Sequence, residues 1–298
     1  MGPITSNFTT GWRKFKKHIL NVRFRRYPII PIIIVLSFII MATFAPLLTQ
    51  YDPDAIDLAH NLQPPFWEEG GSMNHPLGTD MIGRDVLSRI YYGARISLLI
   101  VVFCLAVGGG FGLLLGVIAG YKGGWVDTIL MRAADATMAF PIIFIALLLA
   151  VAFGPNMMNV IIACGVILWA RFARVVRGEV LSLRERDYVA LAKVGGVSTI
   201  KIMAKHIFPN VLNTLMVMLT LQVGWVILVE STLSFLGAGI PPPTATWGAM
   251  VARGREYLGT AWWLTTIPGF TILIVVLGFN LFGDWLREAL DPKMRQID

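Results

Sequence analysis

Apolar residues run along this chain in long blocks. Six of them approach the length of a bilayer crossing: 28–50, 94–120, 129–153, 157–176, 211–236 and 263–286. Lipid offers the backbone no hydrogen-bond partner, so a crossing segment takes about 20 mostly apolar residues in helical form. The pattern predicts an all-α membrane protein with six transmembrane helices. Ahead of the first block, Trp12, Phe15, Ile19 and Val22 recur at helical spacing among basic residues. That periodicity predicts an amphipathic helix over 11–23 lying on the membrane surface. A disordered basic tail that only supports orientation is the plainer alternative.

The polar stretches between blocks differ in kind. Residues 51–93 form a long loop with turn signals at Asp52-Pro53, Pro64-Pro65 and His75-Pro76. Within it, Asp80 to Tyr92 reads as a short helix opened by Thr79 or Asp80 as N-cap. His75, Asp80 and Asp85 match no standard ligand spacing, so they are assigned to capping and salt bridging and no metal is expected. Residues 177–210 are rich in charge but carry Tyr188, Leu191, Ala192, Val194 and Val197. Gly195-Gly196 breaks that helix, Ser198-Thr199 can cap a second short one running to about His206, and Pro209 marks the entry to the fifth block. Such an element can dock a partner or simply connect two spans. Residues 237–262, with three consecutive prolines from Pro241, read as too broken for a helix through most of their length. Trp262 and Trp263 mark the interface where the sixth block begins.

Charge orients the chain. Of its 25 Lys and Arg, nineteen fall in four clusters: the N-terminal tail, Lys122, the stretch from Arg171 to Lys205, and the tail after the last block. With six crossings these clusters share one side, and the opposite side holds only Arg84, Arg89, Arg253 and Arg255. The positive-inside rule then makes both termini cytoplasmic. The net charge of +7 thus records topology, and nucleic acid is not expected as a partner. Hydrophobic residues at 56% and charged residues at 14% exclude an ordinary soluble domain. The first block has span length and no small-residue cleavage site follows it, so it is expected to remain as an anchor. The expected organisation is a basic cytoplasmic segment over 1–27, a first span over 28–50, an extracytoplasmic loop over 51–93 and a core over 94–298.

Few residues inside the blocks carry chemistry. Gly108, Gly112, Gly116 and Gly120 put a glycine stripe on one helical face, where a neighbouring backbone can approach. Cys104 and Cys164 lie in apolar spans and suggest neither a disulfide nor a metal site. Asp135 has Arg132 one turn away as a local partner. Glu230 has no local cation and is a candidate, with Ser231, for lining or gating the outer pathway; a helix-to-helix hydrogen bond is the alternative. No phosphate-binding loop and no nucleophile–base pair occurs, so an enzyme is not expected.

Three separated stretches resemble a known family. They are His75-Pro76-Leu77-Gly78-Thr79-Asp80 with Gly83 to Arg89 and Gly93-Ala94-Arg95; Asp187-Tyr188-Val189 through His206-Ile207-Phe208-Pro209-Asn210; and Glu230-Ser231-Thr232-Leu233-Ser234-Phe235-Leu236-Gly237. With the ending Asp284 to Pro292, they are similar to the C-type permease subunit of dipeptide, oligopeptide and nickel importers of the ATP-binding-cassette class. The resemblance implies the type I importer permease fold in a bacterial inner membrane. It also implies a second homologous permease, two cytosolic ATPases that bind ATP and magnesium, and an extracytoplasmic solute-binding protein. No cofactor is expected in this chain. The second stretch corresponds to the family's docking motif, Glu-Ala-Ala-x3-Gly, read here as Ala190-Leu191-Ala192 and then Gly196, without the leading Glu. The resemblance places Asp187, Tyr188, Ala190, Leu191, Ala192, Gly196, Ser198, His206 and Pro209 against the ATPase. Peptides are the family's commonest cargo, beside nickel chelates, glutathione and oligosaccharides. An ion-coupled secondary transporter is the rival class; missing internal repeats and scarce membrane-embedded charge stand against it.

Overall fold

A computed structural model describes residues 28–290. The surface helix expected over 11–23 lies outside the described residues, as does the tail after Leu290. Among the described residues the fold is all-helical, with one isolated backbone bridge, Thr79 to Asp85, and no sheet. The first block forms α1 (Ile29–Thr43) and the short α2 (Ala45–Leu48), whose first turn holds Pro46, a residue with no N–H to continue α1's bonding. Next come α3 (Val86–Lys122), α4 (Gly124–Ala139), α5 (Ile142–Phe153), α6 (Met157–Arg184), α7 (Asp187–Val194), α8 (Thr199–Phe235), α9 (Trp247–Gly254) and α10 (Trp263–Leu290). Four helices, α3, α6, α8 and α10, are long and apolar enough to cross a membrane, whereas α1 has only 15 residues.

The structure redraws several expected elements. The third block is not one straight span: α4 and α5 meet at 79°. Pro141 causes the break, because it disfavours helical backbone at Phe140, which is extended. The short helix expected from Asp80 is instead the start of α3, which opens at Val86 with Asp85 as its N-cap; neither Thr79 nor Asp80 caps it. Likewise the helix after Gly196 does not end near His206 but runs unbroken into the fifth block as α8. Pro209 would cost an ordinary helix one hydrogen bond. Here the turn before it widens over Met203–Ile207, with the Phe208 N–H bonding the Met203 carbonyl five residues back. The stretch over 237–262 holds a helix the punctuation hid, α9, capped by Thr246 and carrying the fully buried Trp247.

α6 is the central post: 67% of its most apolar stretch is buried, against 33% for α3, α8 and α10. The glycine stripe explains how α3 lies along it. A Cβ on Gly116 would stand 2.7 Å from the Ala173 carbonyl oxygen, and one on Gly120 would stand 2.8 Å from the Val180 Cβ. Gly108 meets Leu168 and Gly112 meets Phe172 in the same way. Only hydrogen fits, so the two backbones touch over about three turns. α4 is held to α6 by ion pairs. Arg177 reaches Asp127 with both Nε (3.0 Å) and Nη2 (2.6 Å), and Arg174 pairs with Asp135. The expected local pair of Asp135 with Arg132 is therefore replaced by one between helices. A partner on a packed neighbour is held by that packing, whereas a local pair must order two free side chains. Cys104 and Cys164 are free thiols buried in the core.

Changing Gly116 to Leu should sharply lower the yield of folded protein and the melting temperature in detergent, since overpacking costs about 1–3 kcal/mol or more. Gly110 faces open space, and Gly110→Ala should be neutral or slightly stabilising in the same melting assay.

Candidate functional site

The end of the molecule that carries Lys122 and Arg184 holds a self-contained apolar cluster. Val176, Val180 and Leu183 of α6, Val189 of α7, and Ile202, Ile207 and Val211 of α8 bury against one another and against Val117 of α3. α7 is thus fastened to the core by Val189, while its other faces point outward. Leu191 is 71% exposed, Val194 88% and, across the turn, Ile200 76%. Tyr188 stands at the same surface with its ring centroid 6.2 Å from that of His206. Isolated exposed apolar residues need no explanation, but this group sits on one short projecting element.

The turn after α7 is a Schellman motif. The Val197 N–H bonds the Ala192 carbonyl (3.0 Å) and the Gly196 N–H bonds the Lys193 carbonyl (3.0 Å). That closure needs a left-handed residue, and Gly196 has φ +75°. Val197 and Ala192, the two residues that such a turn brings together, both pack against the cluster below. Gly195 has φ −73° and is not required by the geometry. Ser198 occupies the N-cap position of α8, but no backbone N–H bonds its side chain; only its carbonyl is engaged, by Ile202 at 3.0 Å. Asp187, Ala190 and Leu191 face outward and Ala192 is half-buried. The missing leading Glu falls at Ala190, an exposed position, so its loss leaves the turn intact. Pro209, also exposed, follows the widened turn. One supporting contact had no signal in sequence: Lys193 Nζ lies 5.4 Å from the ring centre of Tyr121 at the end of α3.

Toward the opposite end of α8, Glu230 is fully buried. Ser234 donates to its Oε1 at 2.8 Å, and Ser97 of α3 and Ser231 stand 3.4 Å from its Oε2. The carboxyl group therefore ties α8 to α3 through hydroxyls, and Glu230 and Ser231 are both buried. A separate apolar groove of about 500 Å³ runs between α1, α3, α8 and α10, lined by residues such as Ile39, Val102, Leu105, Leu219 and Phe279. The widened turn Leu105–Gly109 of α3 forms part of its wall.

Above Glu230 the loop from 51 to 85 is folded tightly onto α9 and the start of α10. Asp85 caps α3 at the Ser88 N–H (2.7 Å) and also meets His75 Nδ1 (3.0 Å). Asp80 pairs with Arg84 at 2.7 Å. Trp263 donates to the Thr79 carbonyl (3.2 Å) and Trp247 to the Ile90 carbonyl (3.0 Å). The chemistry of His75, Asp80 and Asp85 is thus capping and salt bridging. Trp247 could have been found only from its partner, Gly93, where any side chain would strike the indole.

These features define a polytopic helical membrane protein with a projecting, partly apolar element at its basic end. Residues 112–296 match the family described as binding-protein-dependent transport system inner membrane component. The chain is 40% identical to the dipeptide transport system permease protein DppC of Alkalihalophilus pseudofirmus, over 95% of this chain and 90% of that protein. It is 39% identical to the di/tripeptide transport system permease protein DppC of Pseudomonas aeruginosa, over 89% and 87%. With the oligopeptide transport system permease protein OppC of Bacillus subtilis the identity is 38%, over 95% and 90%. The chain belongs to the family of binding-protein-dependent transport system inner membrane components, and it is a permease subunit.

A side chain at Gly196 would force a left-handed L-residue, at a cost of about 1–2 kcal/mol. Gly196→Val should therefore loosen the turn and raise protease cleavage between 190 and 200, whereas Gly195→Ala should leave the cleavage rate near that of the unaltered protein.

Proposed function

We propose that this chain forms half of the transmembrane pathway of an ATP-driven importer for peptides. The observation that carries the reading is similarity along nearly the whole chain to permeases named for dipeptide, di/tripeptide and oligopeptide transport. Six crossings with both termini in the cytoplasm of a bacterial cell complete the arrangement, with α1 and the bent pair α4–α5 supplying two of the six. A second homologous permease lines the other half of the pathway. Two ATPase subunits bind ATP and magnesium and do the hydrolysis, while this chain contributes no cofactor and no catalytic group.

α7, the Gly196 turn and the start of α8 form the element that meets an ATPase. Its exposed Leu191, Val194 and Ile200 offer an apolar contact, and its buried Val189 and Ile202 pass any displacement to α6 and α8. Because α8 is continuous from Thr199 to Phe235, movement at the cytoplasmic end reaches Glu230 through one helix. The ATPases bias the helices toward the outward-facing arrangement only as far as they bind it better than the other. In that cycle the contact of Glu230 with Ser97 is remade as α8 shifts against α3, and Glu230 serves as an outer gate.

Affinity capture of the chain from its native membrane should retain a homologous permease and one or two kinds of cassette ATPase; capture of the chain alone would defeat the reading. Uptake of labelled dipeptide should stop on ATP depletion and survive dissipation of ion gradients, and the reverse pattern would favour a secondary transporter. Glu230→Gln should lower uptake at least tenfold in a complex that still assembles; unchanged uptake would remove the gate.

A further inference from the structure

α6 carries arginines at every third position along one face: Arg171, Arg174 and Arg177. α4 answers two of them. Asp127 takes Arg177 and Asp135 takes Arg174, and between Asp135 and its end at Ala139 α4 has no further acid. α5 has no polar side chain along its whole length. Arg171, half-buried, has no ion pair or hydrogen bond among the described residues; its contact is a ring, with Cζ 4.4 Å from the centre of Trp225 on α8. A helix tilts its side chains toward its own N-terminus, which for α6 is the end away from Arg184. The guanidinium accordingly rests on Trp225, ten residues short of Phe235, where α8 ends. Ten residues of helix rise about 15 Å, half of a hydrocarbon layer about 30 Å thick.

A cation at that depth faces water or protein, not lipid. The next turn of α6 shows which side is open: Arg174 and Asp135 are 48% and 54% exposed, and Arg132 near them on α4 is exposed too. Charged groups left that open border water, so this stripe belongs to the side of the chain that a transport pathway would use. The indole holds the guanidinium by its flat face and leaves its N–H edge free, and that edge matches a carboxylate in two-point contact. Every unmodified peptide carries such a group at its C-terminus. We infer that Arg171, laid on Trp225, is the pathway's contact for the terminal carboxylate of the peptide cargo. The inference rests on the importer reading and deepens it, because the permease then selects for a free C-terminus apart from any choice made by the binding protein.

The test uses the complete transporter in proteoliposomes with its binding protein and two labelled probes, alanyl-alanine and its C-terminal amide, each at a concentration that saturates the binding protein. The unaltered complex should carry the free acid faster than the amide. Arg171→Gln should lower the ratio of acid to amide uptake about tenfold, and Arg171→Lys, which keeps the charge without the flat two-point edge, should lie between. A general loss of folding or assembly slows both probes and leaves the ratio unmoved. An unmoved ratio in Arg171→Gln would overturn the inference and leave the importer reading intact. It is also the result expected if Arg171 pairs instead with an acid of the second permease or with a lipid phosphate. An unaltered complex that takes up neither probe on addition of ATP would overturn both readings. Where Arg171→Gln does not assemble, Trp225→Leu decides: losing the ring should lower the ratio about threefold, and an unmoved ratio would overturn the inference there as well.

Discussion

The backbone contact between α3 and α6 is the constraint on which the other packing depends. Helices in lipid gain nothing from hiding apolar side chains, so their association relies on close approach. Gly108, Gly112, Gly116 and Gly120 permit that approach and leave no alternative register in which a side chain could fill the gap. With α3 fixed, α6 becomes the most enclosed helix, and its remaining faces are free to hold other things. One face takes α4 through Asp127–Arg177 and Asp135–Arg174. Its far end contributes Val176, Val180 and Leu183 to the cluster beneath α7.

This arrangement makes α3 and α8 two parallel connections between the ends of the molecule. α3 is capped in the folded loop by Asp85 and runs to Lys122, and near that end the Gly120 carbonyl accepts from Arg184 Nη1 at 3.2 Å. α8 begins at the projecting turn and ends just past Glu230. The two meet at a polar contact, Ser97 with Glu230, where a buried carboxyl group is satisfied by hydroxyls rather than by a cation. Hydroxyls bind an acid in either protonation state and rotate freely, so such a contact can be broken and remade at less cost than a buried ion pair. A transport protein that must change the angle between two helices has use for a join of that kind. The widened turns in both helices, at Leu105–Gly109 and Met203–Ile207, are further places where regular bonding is already relaxed.

The two ends differ in how they are built. At the basic end a short helix is held by one buried valine and one left-handed glycine, and apolar side chains are left facing out. The opposite end is knit together by polar groups: two buried tryptophan N–H donors, Trp247 and Trp263, and two buried arginines with their carboxylates. Buried charge is costly unless paired, so that end is rigid wherever pairing is complete.

Much of this was legible in the amino-acid order, because it follows from local rules. Span length in apolar residues, glycine at every fourth position, and the asymmetry of Lys and Arg each depend on one segment or on a sum over segments. The turn after α7 was readable for the same reason, since Gly196 satisfies a local backbone need. What the tertiary structure alone decided involves groups far apart in the chain. Asp135 chose Arg174, not Arg132; α9 formed because Trp247 found a slot opposite Gly93; Asp85, not Asp80, capped α3 because Arg84 claimed Asp80. Pro209 failed to end a helix because a widened turn absorbed its missing N–H. Residues compete for partners in three dimensions, and the outcome of that competition is set by which helices are already in contact.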